Sequence, residues 1–204
     1  MQEKNPLLLE TIKIEDGKMH NIQYHQKRCD KSRKVLFGAL DTLELATHIK
    51  VPKRGLYRCR ILYDVKIRSI EYIPYLEKNI QSLKIVTSNL EYTYKYANRD
   101  KFQSLLEANS SVDDILIEKD GFLTDTSIAN IAFYDESKWF TPKNPLLEGT
   151  MRTKLLDKGF LIPKDIKTTE VFKYKKVALI NAMIGFKILE SLKIHDLQGN
   201  TYDY

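Results

Sequence analysis

Apolar and polar residues alternate at the start of the chain, and that period predicts strands. Residues 6–14 (PLLLETIKI) and 18–23 (KMHNIQ) carry it, and Asp16-Gly17 between them is a two-residue hairpin signal. A basic stretch from about Tyr24 to Phe37 then predicts a helix closed by Gly38, and a short helix fits Asp41 to His48, ahead of Pro52. Alternation returns over 55–63, with Tyr57, Cys59, Ile61 and Tyr63 on one face and Arg58, Arg60 and Leu62 on the other. It continues more loosely over 65–73, and the two segments predict an antiparallel pair. Pro74 and the polar run Glu77 to Ser82 read as a linker.

Beyond the linker, LKIVTS (83–88) predicts a strand. Phe102, Leu105 and Leu106, at i, i+3, i+4 spacing, predict a helix over 99–108 with Asn98 capping its start. Strands follow at 114–118 and 121–125, turned at Asp120-Gly121, and at 129–134. A helix over 150–158 is closed by Gly159, and VALINA (177–182) and the region 186–194 add late strands. The expected fold class is α+β, with mostly antiparallel sheets and flanking helices. Two domains are expected: a small one over 1–80 and a larger one over 83–204 that carries Lys95.

Composition narrows the class. The chain has 204 residues, 43% hydrophobic and 29% charged, which fits a globular chain and argues against disorder. No apolar run approaches a membrane span, and the three leucines of MQEKNPLLLE are too few for a signal-peptide core, so a cytoplasmic protein without a membrane partner is expected. Two cysteines without a CxxC, and four histidines without paired spacing, predict no metal site. The net charge is +6, yet the basic residues are interleaved with acids and form no block of five or six. That pattern predicts no nucleic-acid partner and only a mild field favouring small anions.

Candidate chemistry lies in four places. Lys95, in YKYANRD (94–100), is flanked by alternating tyrosines that could partly desolvate its amine. Asp125 ends the strand GFLTD. Gly149-Thr150-Met151-Arg152 opens a helix, whose first N–H groups sit at the positive end of its dipole. Arg28 lies in the basic helix. Each has an ordinary reading alone: a surface lysine, a turn aspartate, a helix cap, a solvated basic face. Together they supply an amine, an anion for a ring nitrogen and a phosphate cradle, the set a pyridoxal 5′-phosphate site needs.

The order of these pieces resembles the class IV aminotransferases, the fold-type IV pyridoxal phosphate enzymes that include branched-chain and D-amino acid aminotransferases and aminodeoxychorismate lyase. The resemblance rests on ETIKIEDGK (10–18), YHQKR (24–28), KYANR (95–99), the block 113–156 and LINAMIGF (179–186). It implies a D-amino acid aminotransferase-like fold, N-terminally short, with the cofactor between two domains. Lys95 would be the catalytic Schiff-base lysine and proton carrier. Asp125, where the family usually has Glu, would face the pyridine nitrogen. Arg28 and the amides of Thr150 and Met151, following Gly149, would hold the phosphate with help from Asn181, and Arg99 would lie near the cofactor. Arg58 and Arg60, on one strand face, are candidates for a substrate carboxylate. The implied reaction moves an amino group between an amino acid and a 2-oxo acid, in a homodimer. A lyase of the aminodeoxychorismate lyase type and a cofactor-binding homologue without turnover are the alternatives.

Overall fold

The computed structural model describes residues 6–204. The chain forms two compact units: residues up to Glu77 together with Tyr94–Asn98, and Lys78–Thr93 together with Arg99–Tyr204.

The first unit holds a four-stranded antiparallel sheet ordered β2-β1-β3-β4, from β1 (Leu8–Glu15), β2 (Lys18–Met19), β3 (Leu56–Tyr63) and β4 (Ile67–Pro74). Asp16 and Gly17 both take positive φ, 45° and 79°, as a type I′ hairpin turn requires. β2 is shorter than its alternation suggests, because Asn21 turns left-handed (φ 54°) and opens helix α1 (Ile22–Phe37). Leu8, Ile12, Ile14, Cys59, Ile61 and Tyr63 form the core face of the sheet, and Cys29 of α1 joins them. Of the helix expected over 41–48 only α2 (Leu45–His48) forms. Side chains of α1 claim the backbone ahead of it: Arg33 Nη1 donates to Asp41 O (2.8 Å) and Gln26 Nε2 to Leu43 O (3.0 Å).

Lys95 was expected in the larger domain; its segment belongs to the first unit instead. Leu9 N–H donates to Lys95 O and Ala97 N–H to Leu7 O, both at 2.8 Å, so residues 94–98 line the outer edge of β1. Tyr94 and Tyr96 pack on the same core as Leu8. Backbone pairing thus outweighs the position of these residues in the sequence.

The second unit contains β5 (Ser82–Thr87), α3 (Asp100–Glu107), β6 (Asp114–Lys119), β7 (Phe122–Thr126), β8 (Asn130–Tyr134), β9 (Trp139–Pro142), α4 (Thr150–Asp157), β10 (Leu161–Lys164), β11 (Lys176–Asn181), β12 (Gly185–Leu189), β13 (Lys193–His195) and β14 (Thr201–Asp203). Its sheet runs β10-β9-β8-β7-β6-β5-β13-β14, with β11 paired to β8 and β12. Most pairs are antiparallel; β5–β6, β5–β13 and β9–β10 are parallel. β8 pairs with β11 along its whole length, with β7 only at Asn130, and with β9 only at Phe133 and Tyr134. Leu83, Ile85, Leu116, Ile131, Phe133, Val177 and Leu179 belong to its main core, while Leu155 of α4 packs with Ala132, Leu161 and Ile180. α3 begins one residue later than expected, with Arg99 rather than Asn98 at the cap position. No helix among the described residues is long and apolar enough to cross a membrane.

Candidate active site

In the second unit the chemistry gathers where β7 and β8 barely touch, at the pair Asp125–Asn130. The Asp125 side chain is buried, and both its oxygens are held. Asn130 Nδ2 donates to Oδ1 at 2.7 Å, and the Leu147 N–H donates to Oδ2 at 2.9 Å. The same Asn130 nitrogen donates to Leu147 O at 2.9 Å, closing a three-residue clasp. Burial pushes the Asp125 carboxyl up to about 6, against the pull of these hydrogen bonds.

The clasp explains the residues that follow. A Cβ on Gly149 would lie 2.0 Å from Asn130 Oδ1, so the chain passes Asn130 only as glycine. Gly149 is the cap residue of α4, and Thr150 is its first helical residue. Arg152, buried on the first turn of α4, donates to Pro142 O at 2.8 Å and lies 3.4 Å from Thr141 Oγ1, whose hydroxyl donates to Ile131 O. Thr141-Pro142 and Gly149 to Arg152 are therefore one strand-to-helix latch that fixes the start of α4.

Arg99 supports the turn after Asp125. Its Nη2 donates to Ser127 O at 2.6 Å, and its guanidinium lies 4.4 Å from the Phe102 ring centroid. Asn181 builds the β11–β12 hairpin: its Oδ1 accepts from the Met183 and Ile184 N–H groups at 2.9 and 3.0 Å. Its amide nitrogen donates to Ile128 O at 3.3 Å. The carboxamide expected to help a phosphate is engaged in turn-making on both sides.

In the first unit, Arg28 lies on α1 beside an acid that the sequence reading missed. Glu10 sits on the core face of β1 with its side chain fully buried. Arg28 Nε donates to Glu10 Oε1 at 2.8 Å and Nη2 to Oε2 at 2.6 Å. His25 Nδ1 lies 2.5 Å from Oε2. Burial alone pushes the Glu10 carboxyl up; the Arg28 charge and the bonds from His25 and Arg28 outweigh it and bring it down to about 2. An ionised carboxylate only accepts, so Nδ1 of His25 carries the proton. Burial also holds His25 below its usual range against the pull of Glu10, and the nearby Arg28 and Lys95 charges add to that. The signal for Glu10 was present: an acid at a position whose neighbours two, four and minus two along, Ile12, Ile14 and Leu8, are all core.

Lys95 itself is half-buried, its carbonyl tied to Leu9. The two strand arginines differ. Arg60 Nη1 donates to Glu71 at 3.1 Å. The Nε of Arg58 is buried and has no hydrogen-bond partner among the described residues.

The family model described as "Amino-transferase class IV" matches residues 7–190. The chain belongs to the class IV aminotransferase family. The chain is 35% identical, over 87% of its length and 98% of the other's, to an uncharacterized protein of Haemophilus influenzae. It is 36% identical to the solved structure of a protein proposed to be a 4-amino-4-deoxychorismate lyase, from Haemophilus somnus. There the TM-score is 0.81, with 91% of this chain and 100% of the other covered. A hypothetical aminotransferase of Mycobacterium tuberculosis, solved in its pyridoxal phosphate-bound form, superposes with a TM-score of 0.77 over 92% of this chain and 81% of that one. At 15% identity that last likeness is one of fold.

The chemistry of these residues suits the family cofactor, pyridoxal phosphate. Asp125 is a buried acid whose hydrogen-bond donors are neutral amides, so a protonated ring nitrogen would bring the positive charge that burial makes valuable. Within the first unit Lys95 offers an amine, and within the second unit α4 offers a helix start fixed in place by Arg152 and Gly149.

Proposed function

We propose that the chain binds pyridoxal 5′-phosphate and moves an amino group between an amino acid and a 2-oxo acid. The observation that carries this reading is the Asp125 clasp, an expensive buried carboxyl in a family that works on a protonated ring. When bound, the cofactor supplies an electron sink for the pair left behind as a proton departs from the amino-bearing carbon. Lys95 Nζ would anchor the cofactor and, as an amine, would take that proton and deliver it back. Asp125 would hold a proton on the ring nitrogen. Arg28, together with the Thr150 and Met151 amides after Gly149, neutralises the phosphate. Arg58 takes the substrate carboxylate, because Arg60 is already paired with Glu71 while Arg58 has an unmatched buried donor. The chain works as a homodimer, which sedimentation would show.

A second reading, a lyase that eliminates from the same substrate carbon, is favoured by the 36% identity to the Haemophilus somnus protein over its full length. The two differ in where nitrogen ends. Amino transfer leaves it on the cofactor, whereas elimination releases it with the product. Purified protein is therefore mixed with pyridoxal phosphate and its visible band recorded before and after a panel of D- and L-amino acids. Loss of the band, and its return with 2-oxo acids, supports amino transfer; pyruvate release from an amino-bearing enolpyruvyl substrate with the band intact supports elimination. Borohydride reduction should leave the cofactor on the peptide containing Lys95, and Lys95→Ala should abolish that adduct. A protein that takes up no cofactor would sink both readings.

A further inference from the structure

Glu10 occupies a position that the pattern of β1 reserves for apolar side chains: Leu8, Ile12 and Ile14 on the same face are all fully buried in the core. An ionised carboxylate is tolerated there only if donors surround it. They do: Arg28 approaches through Nε (2.8 Å) and Nη2 (2.6 Å), and His25 through Nδ1 (2.5 Å). The two donors sit three residues apart on α1, so one acid on β1 ties down a whole helix turn.

We propose that Glu10 is a positioning residue for Arg28. By accepting from both Nε and Nη2, it fixes the plane of the guanidinium. His25 locks the carboxylate from its other side. The consequence is a phosphate arginine with one orientation rather than a long flexible cation. This inference rests on the pyridoxal phosphate reading above.

The opposing view is that Glu10 only compensates charge in the core, and the two views predict opposite signs. A carboxylate beside Arg28 weakens that arginine's attraction for a phosphate, so if charge were all that mattered, Glu10→Gln would tighten cofactor binding. If Glu10 orients Arg28, the same substitution loosens binding despite the gain in positive charge. An amide must turn either its nitrogen or its single oxygen to donors that need two acceptors.

The full-length apo protein is titrated with pyridoxal 5′-phosphate and, separately, with pyridoxal, which lacks the phosphate. Glu10→Gln is expected to weaken pyridoxal phosphate about tenfold or more, the size of one misdirected charge-assisted hydrogen bond, while pyridoxal changes by less than about twofold. Arg28→Lys, which keeps the charge but cannot be gripped at two points, is expected to do the same, and it carries the test if Glu10→Gln fails to fold. The proposal is overturned if the foldable variants bind pyridoxal phosphate as tightly as wild type or tighter, or if both ligands weaken alike. Failure of the underlying reading looks different: wild type itself would then take up no pyridoxal phosphate, or show no preference for it over pyridoxal.

Discussion

Replacing Gly149 with alanine isolates the clasp that holds Asp125. Gly149 has φ −66° and ψ 139°, a backbone open to any residue, so conformational freedom does not explain the glycine. Space does: the added Cβ would stand 2.0 Å from Asn130 Oδ1 and 3.2 Å from its Cγ. Asn130 can retreat only by giving up its bonds to Asp125 Oδ1 (2.7 Å) and Leu147 O (2.9 Å). The bond to a buried carboxylate is worth about 2 kcal/mol and the neutral one about 1 kcal/mol, so Gly149→Ala should cost about 3 kcal/mol. At about 4 °C per kcal/mol for a domain of this size, the melting temperature should fall by about 12 °C. The assay is thermal unfolding of apo protein by circular dichroism, run beside Asn130→Ala and the double variant. With Asn130 cut back to alanine, the three atoms nearest the added Cβ are gone, so the two losses should be strongly non-additive. A single Gly149→Ala variant that melts with wild type, or two substitutions whose effects simply add, would refute the clasp as the reason for the glycine.

Further outcomes follow from the same geometry. Asp125 binds its proton more tightly folded (about 6) than at its ordinary 3.8, so the apo protein should gain about 3 kcal/mol as pH falls from about 6 to about 4. Urea midpoints against pH should show that rise in wild type and not in Asp125→Asn. The Glu10 contribution has the opposite sign, being present above its ordinary 4.5 and lost as pH falls toward about 2. Arg152→Lys should lower the urea midpoint by about 1–2 kcal/mol in stability, because one ammonium cannot serve both Pro142 O and Thr141 Oγ1; an unchanged midpoint would show the latch to be dispensable. Arg99→Ala removes the donor to Ser127 O, and hydrogen exchange at the Thr126 and Ala129 amides, which close that turn, should quicken relative to β6.

The parts of the fold legible in the sequence were those written in local chemistry. Asp16-Gly17 and Asp120-Gly121 both take the positive φ values that two-residue hairpins demand, and Gly38 and Gly159 close their helices in left-handed geometry. The alternation of Tyr57, Cys59, Ile61 and Tyr63 against Arg58, Arg60 and Leu62 gave the correct sheet face. Illegible were the features made by distant partners. β9 and β10 have four residues each and gain their parallel pairing from one another, with too little length for a pattern. Residues 94–98 owe their place to the edge of β1, more than eighty positions upstream. The candidate site divides in the same way. Asp125 and Gly149 could be picked out as residue types at suggestive positions, but Asn130 and Arg152 acquire their roles only once β7, β8 and α4 bring them together. Glu10 was readable as an acid out of place, and its partners were not.

The loan of residues 94–98 to the first unit has a consequence for synthesis and for engineering. When the ribosome has made only the residues up to Glu77, the Leu7 carbonyl and the Leu9 N–H still lack the strand that will satisfy them. The unit is contiguous in space but not in time: it finishes only after the first strand of its neighbour has been translated. A fragment cut at the apparent boundary would keep its two helices and its four strands yet present a raw sheet edge, the kind that recruits a second copy by strand addition. Adding residues 94–98 back as a peptide should cap that edge and keep the fragment monomeric.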